Sequence, residues 1–210
     1  MPRLPLSEQE RDQVRGRILA AARELVERLG ADRLSMRAIG ARVGLTASAL
    51  YAYFPAKQDL LRALWQGAID DLDARFRALS AAEPDPLAAL AALARAYAGF
   101  ALEDPVRFRL LFFTPAPPGA IDDEDGQPPQ SRIGYAIARE RVVEAIDRGL
   151  LRLGDADLVC QTLWSALHGV VALANAPTDF PFQSPWRLVE TMIATVLRGL
   201  SRAPLPGESR

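Results

Sequence analysis

Cysteine, histidine and lysine are almost absent from this sequence of 210 residues, which contains one of each: Cys160, His168 and Lys57. A single cysteine excludes an intrachain disulfide, and one cysteine with one histidine is too few for the usual zinc site. Cys160 and His168 lie on one predicted helix, about 12 Å apart along its axis, which is too far for a nucleophile and its base. No glycine-rich phosphate loop occurs either. The sequence therefore predicts no enzyme, no metal and no other cofactor.

A secretory leader is also missing, because no charged start is followed by an apolar run and a cleavage site. We therefore expect a cytoplasmic protein. The longest uncharged run, residues 158–178, contains Gln161, His168 and Asn175 as well as Pro177. Lipid would leave those polar groups without partners. We interpret this run as a core helix and expect no contact with a membrane.

The net charge of the chain is only -1, but the charges are unevenly distributed. Residues 1–65 hold 11 basic and 7 acidic side chains, a net of +4, and the remainder has a net of -5. A basic N-terminal part, residues 1–65, followed by an acidic remainder, here called the body, is expected if only the N-terminal part contacts nucleic-acid phosphates.

Apolar residues recur at helical spacing along most of the chain, and no segment alternates as a strand would, so we expect an all-α fold. Residues 114–130 contain five prolines and two glycines and are expected to form a loop. The predicted helices cover residues 7–29, 35–43, 46–54, 56–79, 87–102, 106–113, 131–150, 155–176 and 184–201.

Residues 35–61 combine two short helix patterns with a turn between them. Ser35 and Thr46 are of the types that cap helix N-termini, and Gly44 ends the first pattern. Leu50 and Phe54 are four apart and share one face of the second helix. Two short helices joined by a glycine turn predict a helix-turn-helix, whose second helix enters the major groove of DNA.

The run VGLTASALYAYF at 43–54, followed by Lys57, Leu60 and Leu61, resembles the signature of the TetR/AcrR family of bacterial transcriptional regulators. The segments at 100–113 and 164–169 resemble the C-terminal domain type named for its Trp, His and Gly. These resemblances imply a helix-turn-helix DNA-binding domain at 1–55, joined by a long helix 4 to a ligand-binding and dimerisation domain at 56–210. They also imply a dimeric repressor that a small apolar or aromatic ligand releases from a palindromic DNA operator.

The face of the second helix that would read DNA is nearly bare, because Ala49 and Ala52 accompany Ser48 there. Alanines can only touch thymine methyl groups, so sequence choice is expected to depend partly on DNA shape. Lys57, the only lysine, stands where the family places a lysine that contacts phosphate. The predicted DNA-binding residues are Ser35, Arg37, Thr46, Ala47, Ser48, Ala49, Tyr51, Tyr53 and Lys57.

Arg11, Arg15 and Arg17 near the start of the first helix are further candidates for phosphate contact. Alternatively, these arginines belong to an ordinary solvent-exposed helix face, and the sequence does not decide between the two roles.

In the body, the helices at 155–176 and 184–201 are apolar around more of their circumference than one core contact requires. We therefore expect a homodimer through helices 8 and 9, two from each chain. Several aromatic residues and the one histidine are candidates for lining an effector pocket, with ordinary core packing as the alternative for each. They are Tyr97, Phe100, Phe108, Phe112, Tyr135, Trp164 and His168.

A second hypothesis is a helical enzyme or small-molecule carrier whose helix-turn-helix pattern is incidental. The two hypotheses differ in DNA binding, since neutralising several phosphates makes affinity fall steeply with salt.

Overall fold

The computed structural model describes residues 7–30, 33–114 and 134–202, which form nine α-helices and one isolated antiparallel bridge between Leu151 and Ser201. The predicted all-α fold is confirmed. The helices are α1 (Glu8–Leu29), α2 (Met36–Val43), α3 (Ala47–Tyr51), α4 (Lys57–Ala82), α5 (Pro86–Glu103), α6 (Pro105–Phe112), α7 (Tyr135–Asp147), α8 (Ala156–Ala174) and α9 (Pro185–Leu200).

The helix boundaries around the turn follow from side-chain caps. Ser35 Oγ accepts the Ala38 N–H at 3.2 Å and Thr46 Oγ1 accepts the Ala49 N–H at 3.1 Å, so each hydroxyl satisfies a donor at the start of its helix. Gly44 ends α2 in the left-handed conformation, with φ 71°. These three boundaries lie where the sequence predicted them.

The predicted second helix of the motif, 46–54, is longer than the observed α3 (Ala47–Tyr51). Beyond α3 the N–H of Tyr53 bonds to the carbonyl of Leu50, three residues back, at 3.0 Å. This is the tighter pattern of a 3₁₀ turn. Pro55 then disfavours helical backbone for the residue before it, so the chain leaves the helix early.

Other boundaries differ for equally local reasons. α4 continues to Ala82 rather than 79, since the next helix breaker is Pro84. α7 ends at Asp147 rather than 150, because the Leu150 N–H bonds back to the Ala145 carbonyl at 2.9 Å and closes a Schellman motif. Its predicted start at 131, and most of the predicted loop at 114–130, lie outside the described residues.

The chain divides into two compact units. Unit 1 comprises residues 1–68 and 106–124, and unit 2 comprises residues 69–105 and 125–210. The predicted boundary at 55 differs from this division because Leu60, in the first turn of α4, is fully buried in the core of unit 1. Val106 of α6 joins the same core. The first part of α4 and the residues of α6 from Val106 onward therefore belong with the helix-turn-helix.

Unit 1 is built around apolar side chains from α1, α2 and α3 that point to one centre. Ile18, Ile39 and Leu50 have no exposed surface, and Phe54 is 1% exposed. In unit 2, α5 and α8 contact each other and both contact α7 and α9. The bridge between Leu151 and Ser201 ties the segment before α8 to the end of α9.

Candidate DNA interface and ligand cavity

The turn between α2 and α3 is a place of close backbone approach. A Cβ added to Gly40 would lie 2.6 Å from the carbonyl oxygen of Leu45, and the Leu45 N–H bonds to the Gly40 carbonyl at 2.9 Å. No side chain fits between the two segments, so Gly40 fixes how closely α3 follows α2. Gly40 was not among the residues predicted from the sequence.

The buried side of α3 determines which of its residues face solvent. Leu50 and Phe54 point into the core, whereas Ala47, Ser48 and Tyr51 are exposed, the last of these to 48%. All nine predicted DNA-binding residues lie at the surface of unit 1. Exposed are Ser35, Arg37, Thr46, Ala47, Ser48 and Tyr51, and half-buried are Ala49, Tyr53 and Lys57.

Several of these residues offer hydrogen-bond donors. The hydroxyls of Ser35 and Thr46 accept capping bonds, and each still carries an O–H that can donate. Lys57 is the first residue of α4, where the N–H groups of the first turn add partial positive charge. This surface can bind the oxygen atoms of phosphates.

An ion pair fixes α2 against α1 beside this surface. The Arg42 guanidinium donates to both carboxylate oxygens of Glu24, from Nη2 at 2.6 Å and from Nε at 3.1 Å. Hydrogen bonding from Arg42 holds the pKa of Glu24 below its ordinary value. Both side chains are well exposed, and the pair therefore orients the helices more than it stabilises the fold.

Unit 2 contains a cavity of about 90 Å³ with a mostly apolar wall. Three of the seven predicted ligand-binding residues line it, namely Tyr97, Tyr135 and Trp164. The lining residues that sequence reasoning missed are Phe76, Leu90, Leu93, Ala94, Gly134, Ala138, Cys160, Leu163, Leu167, Met192, Ile193 and Leu197. A signal was present, since Leu90, Leu93 and Ala94 fall on the same face of α5 as Tyr97.

The other four predicted ligand-binding residues do not line this cavity. Phe108 and Phe112 belong to unit 1, where their ring centroids lie 5.2 Å apart. Phe100 is buried elsewhere in unit 2. His168 lies behind Tyr97, with its Nδ1 2.7 Å from the Tyr97 hydroxyl oxygen. The structure thus brings together Tyr97 of α5, Tyr135 of α7 and Trp164 of α8, but not the aromatic residues of α6.

Burial controls the protonation of the groups around the cavity. It lowers the pKa of His168 and raises the pKa of Tyr97, so both are neutral near pH 7 and share a neutral hydrogen bond. Burial also raises the pKa of the Cys160 thiol to about 12, which keeps it protonated. At the rim, the Tyr135 hydroxyl donates to Asp157 Oδ1 at 2.9 Å. A ligand here would meet a neutral, apolar wall with a few hydroxyl groups.

A larger concavity of about 260 Å³ lies within unit 1, lined by α1, α4 and α6. Its lining includes the helical glycines Gly16 and Gly67 and two arginines, Arg23 and Arg107. Among the residues that the structure describes, no group of three His, Cys, Asp or Glu side chains could hold a metal ion.

Among the helices that the structure describes, α8 alone is long and apolar enough to cross a membrane, judged by length and composition. The core helix of a water-soluble protein can have the same length and composition. Only 22% of the most apolar stretch of α8, 18 residues long, is buried within this single chain. Much of α8 therefore lacks a cover in the described structure.

The sequence model of the tetR family of bacterial regulatory proteins matches residues 18–64, and that of the tetracyclin repressor-like C-terminal domain matches residues 90–196. The second match covers just over half of the chain. It does not test the narrower resemblance to the Trp-His-Gly type, which stays a prediction.

Known proteins agree with the family matches. The HTH-type transcriptional regulator Rv1816 of Mycobacterium tuberculosis is 35% identical over 109 residues, 51% of this chain and 47% of that protein. The chain thus spans about half the length of the curated relatives that it matches. A TetR/AcrR family regulator from Thermobifida fusca has the same fold, with a TM-score of 0.71 and 25% identity over 90% of this chain and 98% of that one.

The fold also matches that of AibR in complex with isovaleryl coenzyme A and operator DNA, with a TM-score of 0.68. The two chains are 17% identical, and the match covers 87% of this chain and 97% of AibR, so the likeness shows the fold alone. The family predicted from the signature at 43–61 is confirmed by the two model matches. The chain belongs to the tetR family of bacterial regulatory proteins.

Proposed function

We propose that this chain is a dimeric, sequence-specific DNA-binding regulator, and that it is a repressor released from a palindromic operator by a small apolar ligand. The observation that carries the DNA-binding part is the exposed side of α3, held against α2 at Gly40 and flanked by Tyr51, Tyr53 and Lys57. Phosphate contacts from such donors position a helix-turn-helix on the duplex, and the exposed face of its second helix meets the bases.

DNA binding is tested with a duplex selected from a random pool by the wild-type chain. Affinity should fall steeply with salt, with a slope of about -0.9 for each phosphate neutralised. Lys57→Ala should weaken binding about tenfold and reduce that slope by about one, while Tyr53→Phe should weaken binding without changing the slope. Gln58→Ala, at the exposed next position, is the control and should bind as wild type does.

Unchanged affinity in Lys57→Ala and Tyr53→Phe would remove these two phosphate contacts from the proposal. An affinity of the wild-type chain that does not depend on salt would contradict DNA binding as a whole.

The homodimer through α8 and α9 is supported by the exposed side of α8. Thr162, Ser165, Gly169 and Leu173 all lie on that side, at spacings of three and four residues, and none is charged. Small uncharged residues let a second helix approach closely, and a two-fold dimer fits half-sites about 34 to 36 Å apart. A second copy of the chain would cover the exposed part of α8.

The dimer is tested by sedimentation of two variants, Ser165→Arg and Gly169→Arg. Each places a charge on the proposed interface and should give a monomer with much weaker DNA binding, because one half-site contact is lost. Ala136→Arg adds the same charge at an exposed position of α7, and this control should remain a dimer. Two interface variants that both stay dimeric would place the contact elsewhere.

The effector is proposed to be small, neutral and apolar or aromatic, with room for one or two hydroxyl groups. The cavity of about 90 Å³ is smaller than the apolar cavity of about 150 Å³ that admits benzene. Met192 in its wall is the residue best able to give way, since its side chain is unbranched and flexible. Tyr97 and Tyr135, which line the cavity, carry the hydroxyl groups that we propose as its polar contacts.

A thermal-shift screen of monocyclic phenols and short branched alcohols tests this part. Ligands that raise the melting temperature should also lower DNA affinity, because a ligand that prefers the DNA-free form is coupled to DNA by one reciprocal factor. Binding without any effect on DNA would contradict effector control.

We propose that this chain catalyses no reaction and that it acts in the cytoplasm. Cys160 is the only thiol in the chain, and burial raises its pKa to about 12, which leaves it a poor nucleophile. A regulator of this kind acts where its operator is, in the cytoplasm.

A further inference from the structure

One arginine of α1 reaches the segment that connects α3 to α4. Arg15 Nη1 donates to the carbonyl oxygen of Tyr53 at 3.2 Å, across 38 positions of sequence. Its guanidinium carbon also lies 4.3 Å from the centroid of the Phe54 ring. A single side chain therefore holds both residues that follow the turn after α3.

The segment that Arg15 holds follows a very short helix and is otherwise fixed by the burial of Leu50 and Phe54 and by backbone hydrogen bonds to Leu50. α3 has only five residues, too few to stay helical through its own hydrogen bonds. Leu50 and Phe54 anchor it from the inner side. The carbonyl of Tyr53 lies past the end of α3, where carbonyl groups need donors from outside the helix. Arg15 supplies such a donor and stacks on the aromatic ring beside it.

We propose that Arg15 is a positioning residue for DNA recognition, which sets the direction of α3 against α1 and does not itself contact a phosphate. The inference rests on the DNA binding proposed above. A planar guanidinium can stack on Phe54 and donate to a carbonyl at the same time, and a cation is favourable beside the last carbonyls of a helix. The sequence alone left Arg15 as either a phosphate contact or a solvated charge, and the geometry points to a third role.

Three residues proposed to contact DNA lie in or next to the segment that Arg15 holds. Tyr53 carries the held carbonyl, Tyr51 precedes it by two positions, and Lys57 follows it by four. If the segment moves, all three proposed contacts move together. A displacement of about 1 Å is enough to break good hydrogen-bond geometry. Loss of Arg15 should therefore weaken DNA binding although no phosphate contact is removed.

Two substitutions separate positioning from phosphate contact. Arg15→Gln removes the charge, and Arg15→Lys keeps the charge but loses the planar fork. We expect both to weaken binding to the selected duplex about tenfold, equivalent to about 1.4 kcal/mol, with an unchanged salt slope. Arg28→Gln removes a charge from the other end of α1 and should match wild type.

A phosphate contact would give a different pattern. Arg15→Lys would then keep most of the affinity, and Arg15→Gln would reduce the salt slope by about one. That result would overturn the proposal, as would wild-type affinity in both variants.

Hydrogen exchange of the DNA-free protein tests the same contact without DNA. The amides of Leu50, Tyr53 and Phe54 should exchange faster in Arg15→Gln and Arg15→Lys than in wild type, and equally fast in Arg28→Gln. Equal exchange in all four proteins would overturn the proposal. Because this measurement needs no operator, it still decides the role of Arg15 if the chain fails to bind DNA.

Discussion

Two concavities, one in each unit, differ in size and in chemistry. The concavity of unit 1 measures about 260 Å³ and has two arginines, Arg23 and Arg107, in its lining. The cavity of unit 2 measures about 90 Å³ and is lined by apolar and aromatic side chains from α4, α5, α7, α8 and α9. The smaller of the two is the better candidate for a small-molecule site.

The difference teaches that volume is a poor guide to a ligand site. An apolar wall gives a driving force for binding, about 25 cal/mol for each Å² removed from water, and a few hydroxyl groups orient the ligand. The wall of unit 2 has both. In unit 1, Gly16 and Gly67 contribute no side chain, so part of the larger volume is simply the space that two glycines leave open.

The largest effect should come from adding one methyl group to a glycine in each lining. Gly134→Ala would put a Cβ 2.1 Å from the Phe76 ring at a position with φ +69°, so we expect a loss of about 3 kcal/mol in the free energy of unfolding. At Gly16, inside α1, a Cβ meets no atom within 4 Å, and Gly16→Ala should gain about 0.5 to 1 kcal/mol. Urea unfolding measures both. Equal effects would mean that the two linings are packed alike.

The next effect concerns effector affinity. Ala94→Leu adds three carbon atoms to the wall of the cavity in unit 2 and should weaken binding of any hit from the thermal-shift screen more than about tenfold, by occupying its space. Ala20→Leu makes the same change in the lining of unit 1 and should leave effector affinity unchanged. Calorimetric titration gives both constants. Loss of affinity in Ala20→Leu alone would move the site to unit 1.

A difference of another kind should appear in thiol reactivity. The pKa of Cys160 is raised to about 12 by burial, so at pH 8 almost none of the thiol is ionised. Iodoacetamide should therefore label it at least about a hundredfold more slowly than in the unfolded chain. Gly67→Cys in a Cys160→Ser background puts the thiol in the open lining of unit 1 and should react nearly as fast as the unfolded chain. Mass spectrometry follows both rates, and fast labelling of Cys160 would show that its wall opens.

The smallest effect should be a pH dependence specific to unit 2. Burial lowers the pKa of His168 in the folded protein below its ordinary value of 6.5. The neutral ring therefore contributes stability that is present above that value and lost as the pH falls below it. Unfolding by urea at about pH 7.5 and about pH 5.5 should show a larger loss for wild type than for His168→Asn. An identical loss would mean that the ring is as well solvated as in the unfolded chain.

The features that could be predicted from the sequence are those that depend on residues close together in the chain. The caps at Ser35 and Thr46 and the end of α2 at Gly44 involve residues within four positions of one another, so the pattern of residues specifies them. The early end of α3 also has a local cause at Pro55, which the helical spacing of Leu50 and Phe54 obscured.

The cavity could not be located in the same way. Phe108 and Phe112 are as aromatic as Tyr97, but α6 packs with the helix-turn-helix and contributes nothing to the wall. Which helices pack together depends on contacts between distant positions, and a periodic pattern marks only the buried side of each helix. The role of Arg15 has the same origin, since its partner lies 38 positions away.

The exposed side of α3 has a consequence for changing the target of this protein. Ala47, Ser48 and Ala52 take no part in the core, so larger side chains can be introduced there without disturbing Leu50 or Phe54. Each new arginine or asparagine that pairs with a base in a bidentate manner would add about 1 to 3 kcal/mol of discrimination. Single substitutions on the exposed side of α3 can therefore change the preferred DNA sequence without altering the core that holds the helix.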